Sequence, residues 1–122
     1  MHPRDKAFIK PESIASLRKY GLTRTEYIQP WLNMLRSGVY PQGFGALYDG
    51  VGFCCLGVAV KTCKFDDDIY QPVLRGDNAM KLTGISNVEN AQNAASVLAG
   101  LNDSKAFSFI EIADIIEEAL EG

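Results

Sequence analysis

The sequence predicts an α+β fold, mainly helical with a small β-hairpin or short antiparallel sheet, in a single compact domain. Three observations predict it. Several stretches carry apolar residues at helical spacing between capping residues and glycines. Residues 39–53 change to aromatics interleaved with glycines around an Asp-Gly turn. The 122 residues hold no repeat, low-complexity tract or Ser/Pro linker that would mark a boundary. A chain of this length buries roughly two-thirds of the surface its unfolded form exposes. With 47% hydrophobic and 22% charged residues it has ordinary globular composition, so a core forms without a disulfide or a metal.

The first 22 residues read as an N-terminal arm, irregular apart from a helical turn after Pro11, with Phe8, Ile9, Ile14 and Leu17 among charges. The globular unit spans residues 23–122. Thr23 and Glu26 have the spacing of a capping box, which opens a helix running to Ser37 and stopping at Gly38. Pro30 falls inside that run, so the helix kinks there or restarts with Pro30 in its first turn, and Trp31, Leu32 and Leu35 form the buried stripe. Asp49-Gly50 is a hairpin turn signal between Ala46-Leu47-Tyr48 and Phe53-Cys54. Cys55 to Cys63 is an apolar run read as a helix, followed by an Asp66-Asp67-Asp68 turn. Ile69 to Leu74 contains Pro72 and reads as an edge segment or loop. Asp77 caps a short helix from Asn78 to Thr83, closed by Gly84, and a longer helix from Val88 to Leu101 buries Ala91, Ala94, Ala95, Leu98 and Leu101. Asn102-Asp103-Ser104 reads as an Asx-type turn to the last helix. There Ser108 and Glu111 form a capping box, Phe107 and Ile112 a hydrophobic staple, and Phe109, Ile112, Ala113, Ile116 and Leu120 the buried face.

Composition narrows the functional classes. No apolar run reaches the length of a membrane span, and the opening Met1-His2-Pro3-Arg4-Asp5-Lys6 starts no signal core, so no membrane partner and a cytosolic location are expected. Three cysteines, two of them adjacent, make a poor disulfide framework and suit a reducing compartment. Charge is divided unevenly. Residues 1–64 carry nine Lys/Arg against four Asp/Glu, a net of +5, and residues 65–122 carry three against eleven, a net of −8. The basic half is too weak to imply duplex DNA binding.

Motifs with chemistry are few. Phe53-Cys54-Cys55-Leu56-Gly57 sets thiols at a helix N-terminus, where the dipole favours a thiolate. A cysteine hydrolase or transferase also needs a base, and the sole histidine is His2. The cysteines lack the C-x-x-C pairing of zinc sites, and the acidic triplet lacks the alternation of a calcium loop, so no metal and no cofactor are implied. Phosphate-loop, dinucleotide and Ser/His/Asp patterns are missing as well. What remains is a ligand site in which glycine amides act with arginine pairing and aromatic stacking: Arg36, Tyr40, Gln42, Gly43, Gly45 and Tyr48, extended by Cys54, Cys55, Asn102 and Asp103.

Three blocks then stand out together. They are Trp31-Leu32-Asn33-Met34-Leu35-Arg36-Ser37-Gly38-Val39-Tyr40-Pro41-Gln42-Gly43; Gly45-Ala46-Leu47 through Gly52-Phe53-Cys54-Cys55-Leu56-Gly57-Val58-Ala59; and Leu101-Asn102-Asp103 with Phe109-Ile110-Glu111-Ile112-Ala113-Asp114-Ile115-Ile116. In this order they resemble a family of small uncharacterised proteins of tailed phages and prophages. Cys63 falls later than that family's further cysteine. The resemblance implies phage origin and a host-cytoplasmic setting. By analogy with other accessory phage proteins, it further implies a non-catalytic inhibitor of a host process, antiviral defence included, that sequesters a nucleotide-like signal or a host protein. The alternatives are a cysteine-dependent hydrolase or transferase using Cys54 or Cys55, and a minor, self-associating structural protein of the virion.

Overall fold

In a computed structural model the chain builds helices wherever apolar periodicity and good caps coincide, and also at its N-terminal end, where they do not. The structure describes residues 3–65, 71 and 73–121. Six α-helices follow one another among them: α1 (Pro3–Tyr20), α2 (Ile28–Ser37), α3 (Cys55–Cys63), α4 (Gly76–Thr83), α5 (Val88–Asp103) and α6 (Phe109–Glu121). α5 packs against α1, α3, α4 and α6, and α6 packs against α1 and α2, so these two helices form the centre. Trp31, Leu82, Leu98, Leu101, Ile112, Ile115 and Ile116 are among the fully buried side chains.

The β half of the expected α+β class is overturned, because the described residues contain no strand and the domain is all-helical. Between α2 and α3 there are only two isolated bridges, Gln42 with Phe53 in parallel and Tyr48 with Phe53 in antiparallel sense. The reason lies in where this segment's backbone groups go, since each buried N–H and C=O needs a partner. The Asp49 carboxylate accepts from the amides of Val51 (2.8 Å), Gly52 (2.7 Å) and Phe44 (3.1 Å). Asn102 Nδ2 donates to the Gly43 carbonyl at 2.8 Å, and the Gly45 amide donates to Asp103 at 2.9 Å. Side chains thus take several of the backbone groups a ladder would have used, and the remaining bonds, Gly43 N to Phe53 O, Phe53 N to Pro41 O and Cys54 N to Leu47 O, make only isolated bridges. The Asp49-Gly50 turn does form, with the Asp49 amide donating to the Gly52 carbonyl at 3.0 Å. It joins no pair of strands.

Other elements differ in detail. Instead of an irregular arm, residues 3–20 form α1, which places Ile14 and Leu17 in the core and leaves Phe8 exposed. The Thr23–Glu26 capping box does not form. Thr23 Oγ1 donates to Gly21 O, the Thr23 amide donates to Thr83 O, and Thr25 Oγ1 donates to Leu82 O, which pins this stretch to the end of α4. α2 begins at Ile28, with Pro30 in its first turn, where the missing amide costs no helical hydrogen bond. Arg75 rather than Asp77 is the N-cap residue of α4. α3 and the start of α5 fall where the sequence put them, but α5 continues through Asn102 and Asp103, so an Asx turn there is replaced by a last helical turn. At α6 the capping box is reciprocal: Ser108 N to Glu111 Oε1 at 3.0 Å and Glu111 N to Ser108 Oγ at 3.2 Å. The acidic triplet, Ile69, Tyr70 and Pro72 lie outside the described residues, as does His2.

The uneven charge has a structural outlet. Lys6 pairs with Glu111, Lys10 with Glu118, Arg24 with Glu117, and Arg36 with both Asp114 and Glu117. Arg18 donates to the carbonyls of Glu118 and Ala119 in the last turns of α6, where the helix dipole favours a cation. The basic first half is therefore spent largely on the acidic face of α6.

Candidate functional site

Asn102 organises the junction of α5, α3 and the 41–45 segment. Its fully buried amide group is satisfied on both sides. Oδ1 accepts from Gln42 Nε2 at 3.0 Å and from the Cys55 amide at 3.2 Å, while Nδ2 donates to Gly43 O and, at 3.2 Å, to Asp103 Oδ1. Gln42 Nε2 also donates to the Phe107 carbonyl at 3.0 Å. Close backbone approach completes the junction. A Cβ on Gly57 would lie 1.9 Å from the Leu47 carbonyl oxygen, and that oxygen accepts the Cys54 amide at 3.1 Å. Only glycine lets the loop lie against the first turn of α3 in this way.

Of the ten side chains and glycines singled out from the sequence, seven meet here: Gln42, Gly43, Gly45, Cys54, Cys55, Asn102 and Asp103, most of them bonded to one another. Tyr40 and Tyr48 lie next door on Phe53, with ring centroids 5.0 and 4.8 Å away, and the Tyr48 hydroxyl donates to Gly50 O. Arg36 is not brought to this group, because its guanidinium is held by Asp114 at 2.9 Å and Glu117 at 3.3 Å on α6.

The two thiols occupy different settings. Cys54 is the N-cap of α3, its sulfur accepting from the Gly57 amide at 3.4 Å, and Cys55 donates from its thiol to Leu98 O at 3.4 Å. Burial pushes the Cys54 thiol pKa up despite the helix N-terminus, and the nearby Asp103 carboxylate pushes in the same direction. Burial drives Cys55 up further. Half-buried Cys63 is pushed up to about 11, also by burial. All three are therefore thiols, not thiolates, at neutral pH.

Beside this junction runs a cleft of about 320 Å³ along one stripe of α5. Gln92, Ala95, Ser96, Ala99 and Asp103 recur at helical spacing and form one wall. Gly45, Ala46 and Leu47 form the opposite lip, Cys54 and Leu56 the floor, and Val73 and Leu74 one side. Three of the expected residues, Gly45, Cys54 and Asp103, thus line the cleft. The α5 stripe was missed because Ala95 read as core-facing helix, although Gln92, Ser96 and Asp103 at spacings of four and seven were a usable signal. A more open depression at the end of α4, around Asp77, Met80, Lys81, Gly84, Ile85 and Ser86, presents a mainly apolar surface. Among the described residues no three His, Cys, Asp or Glu side chains gather as a metal site, and no helix is long and apolar enough to cross a membrane.

Fold and site together define a small all-helical domain with a cleft beside its central helix. A family model described as a domain of unknown function (DUF8296) matches residues 24–69, which takes in α2, the glycine-rich segment, α3 and one lip of the cleft. No curated protein and no solved structure matches the chain.

Proposed function

We propose that this chain is a phage-type binding protein without catalytic activity, which blocks a host process in the host cytoplasm by sequestering a nucleotide-like small molecule, and that the α5 cleft is its site. The cleft is the observation that carries this reading. Its volume falls at the lower end of the roughly 300–1,000 Å³ typical of small-molecule sites, and its make-up has the usual form of an apolar floor with a few placed polar groups. Leu47, Leu56, Leu74, Ala95 and Ala99 offer contact area to a flat ring, and Gln92, Ser96 and Asp103 offer hydrogen bonds. The rigid Asn102 junction holds one wall to the other, so little ordering is needed on binding. Phage origin and a host target rest on the sequence resemblance. A host protein as the captured partner has no comparable support, since it would need a larger surface than the cleft offers.

Isothermal titration and native mass spectrometry of the full chain against nucleosides, cyclic nucleotides and ADP-ribose derivatives test the proposal. The expected result is a one-to-one complex whose amide shifts map to Gly45, Ser96, Ala99 and Asp103. Silence across the panel, or shifts confined to other helices, contradicts it.

Cys54 in the cleft floor supports a second reading, a cysteine-dependent hydrolase or transferase. The upward pKa shift of that thiol argues against it. Iodoacetamide labelling separates the two readings: rapid modification of Cys54 below pH 8 favours the enzyme, whereas slow modification of Cys54 and Cys55 with labelling mainly at Cys63 above pH 9 favours binding.

A further inference from the structure

Resting on the cleft as a small-molecule site, we infer that its occupant presents an N–H donor, cationic or neutral, to the Asp103 carboxylate, and that anionic groups of the ligand stay outside. Asp103 is the one charged side chain among the described residues that line the cleft. Gln92 and Ser96 are neutral and can turn to donate or accept. Among the described residues no lining cation is present to receive a phosphate.

The Asp103 carboxylate is also held in place. Oδ1 accepts from the Gly45 amide at 2.9 Å and from Asn102 Nδ2 at 3.2 Å, which fixes the group between loop and helix. Oδ2 has no hydrogen bond to any described residue and is left to accept one. The influence of this charge reaches the cleft floor, where it helps keep the Cys54 thiol protonated. An anion entering the same space meets that carboxylate with no counter-charge among the described lining residues, whereas an ammonium, amidine or ring amino group meets an acceptor.

Between Asp103 and Gln92, Ala99 and Ala95 leave a strip without bulky side chains. A flat amino-heterocycle or aromatic amine fits this layout, with its ring on the alanines and its N–H end at Asp103. For a nucleotide-like molecule the base enters and the phosphate faces solvent.

Titration of the 15N-labelled full chain with benzylamine, 2-aminopyrimidine and benzoate tests this directly. The two N–H donors are expected to shift the amides of Gly45, Ser96, Ala99 and Asp103, with benzoate about tenfold weaker than benzylamine or more. Benzylamine binding is expected to weaken with added salt. In Asp103→Asn, which keeps an acceptor for Gly45, benzylamine loses its advantage over benzoate. Benzoate binding as tightly as benzylamine leaves the cleft as a site and overturns the charge preference, as does salt-independent benzylamine binding to the wild-type chain. No amide shift with any of the three probes removes the cleft as a site, and the inference with it.

Discussion

The side of the molecule formed by α1, α2 and α6 and the side formed by residues 39–57 are held by opposite means. On the first, periodic apolar faces pack and the rims are laced by ion pairs, from Lys6–Glu111 to Arg36–Glu117. Each of those pairs is at least partly exposed and contributes little alone, about 0–1 kcal/mol. On the second, a few irreplaceable groups act singly: Asn102 bridges four partners, Asp49 collects three amides, and Gly57 admits the Leu47 carbonyl. Losses on the helical side should therefore be small and spread out, and losses on the loop side large and local. The candidate cleft lies against the second kind of structure, so its walls are set by buried hydrogen bonds and backbone contact rather than by surface charge.

Two helical glycines give the largest contrast. Gly57→Ala places a methyl 1.9 Å from a backbone oxygen, which backbone shifts must relieve, so an expected loss of about 3 kcal/mol or more follows. At Gly100 an added Cβ meets nothing within 4 Å, so Gly100→Ala should stabilise by roughly 0.5–1 kcal/mol. Urea unfolding of both variants checks the pair, and equal effects would break the comparison. Next comes Asn102→Ala, which strands the Cys55 amide and the Gly43 carbonyl and leaves the Gln42 amide only the Phe107 carbonyl, at an expected cost of about 2–4 kcal/mol. Hydrogen exchange of the 43–55 amides should rise in this variant more than exchange in α6. Ser108→Ala, which removes one half of a well-formed cap, should cost about 1 kcal/mol in urea and leave the cleft amides unshifted.

Acid supplies the smallest and most diffuse effect. Lys6, followed by the Ser108 amide, holds the Glu111 carboxyl below its ordinary value near 4.5, and Arg24, helped by Arg36, does the same for Glu117. Because the folded-state value is the lower one, this contribution is complete above the ordinary value and is lost as pH falls through the depressed one. Amides of Gly52, Val51 and Phe44 lower Asp49 in the same direction, so the loop should loosen over the same range. Urea midpoints measured below about pH 5 should fall, and the ion-pair share of that fall should shrink in high salt.

The same division explains what was legible in the sequence. α6 could be placed from its cap, staple and stripe, and α3 from its length and polar end, because those signals repeat within the element itself. α1 escaped because its buried residues are few, with Phe8 exposed and Pro11 inside the helix, and its order comes from packing on α5 and α6. The hairpin was a false inference from a true turn. Asp49-Gly50 does reverse the chain, but the Gly43 carbonyl and the Gly45 amide are captured by side chains as far away as Asn102 and Asp103, a non-local fact that local patterning does not carry. Among the candidate site residues, Gln42, Gly43, Cys55 and Asn102 were picked out for their type and are joined in the structure by bonding to each other. Arg36 looked available in sequence, yet the acidic face it serves lies 78 and 81 positions away.

A crystal structure of the full chain grown after incubation with a small-molecule cell extract tests the central claim most directly. The account predicts density for a flat ligand between Leu56 and the Ala95–Ala99 strip, with an N–H group at Asp103. A ligand seated instead against Arg36 or Tyr40, or an anion bound at Asp103, would contradict it.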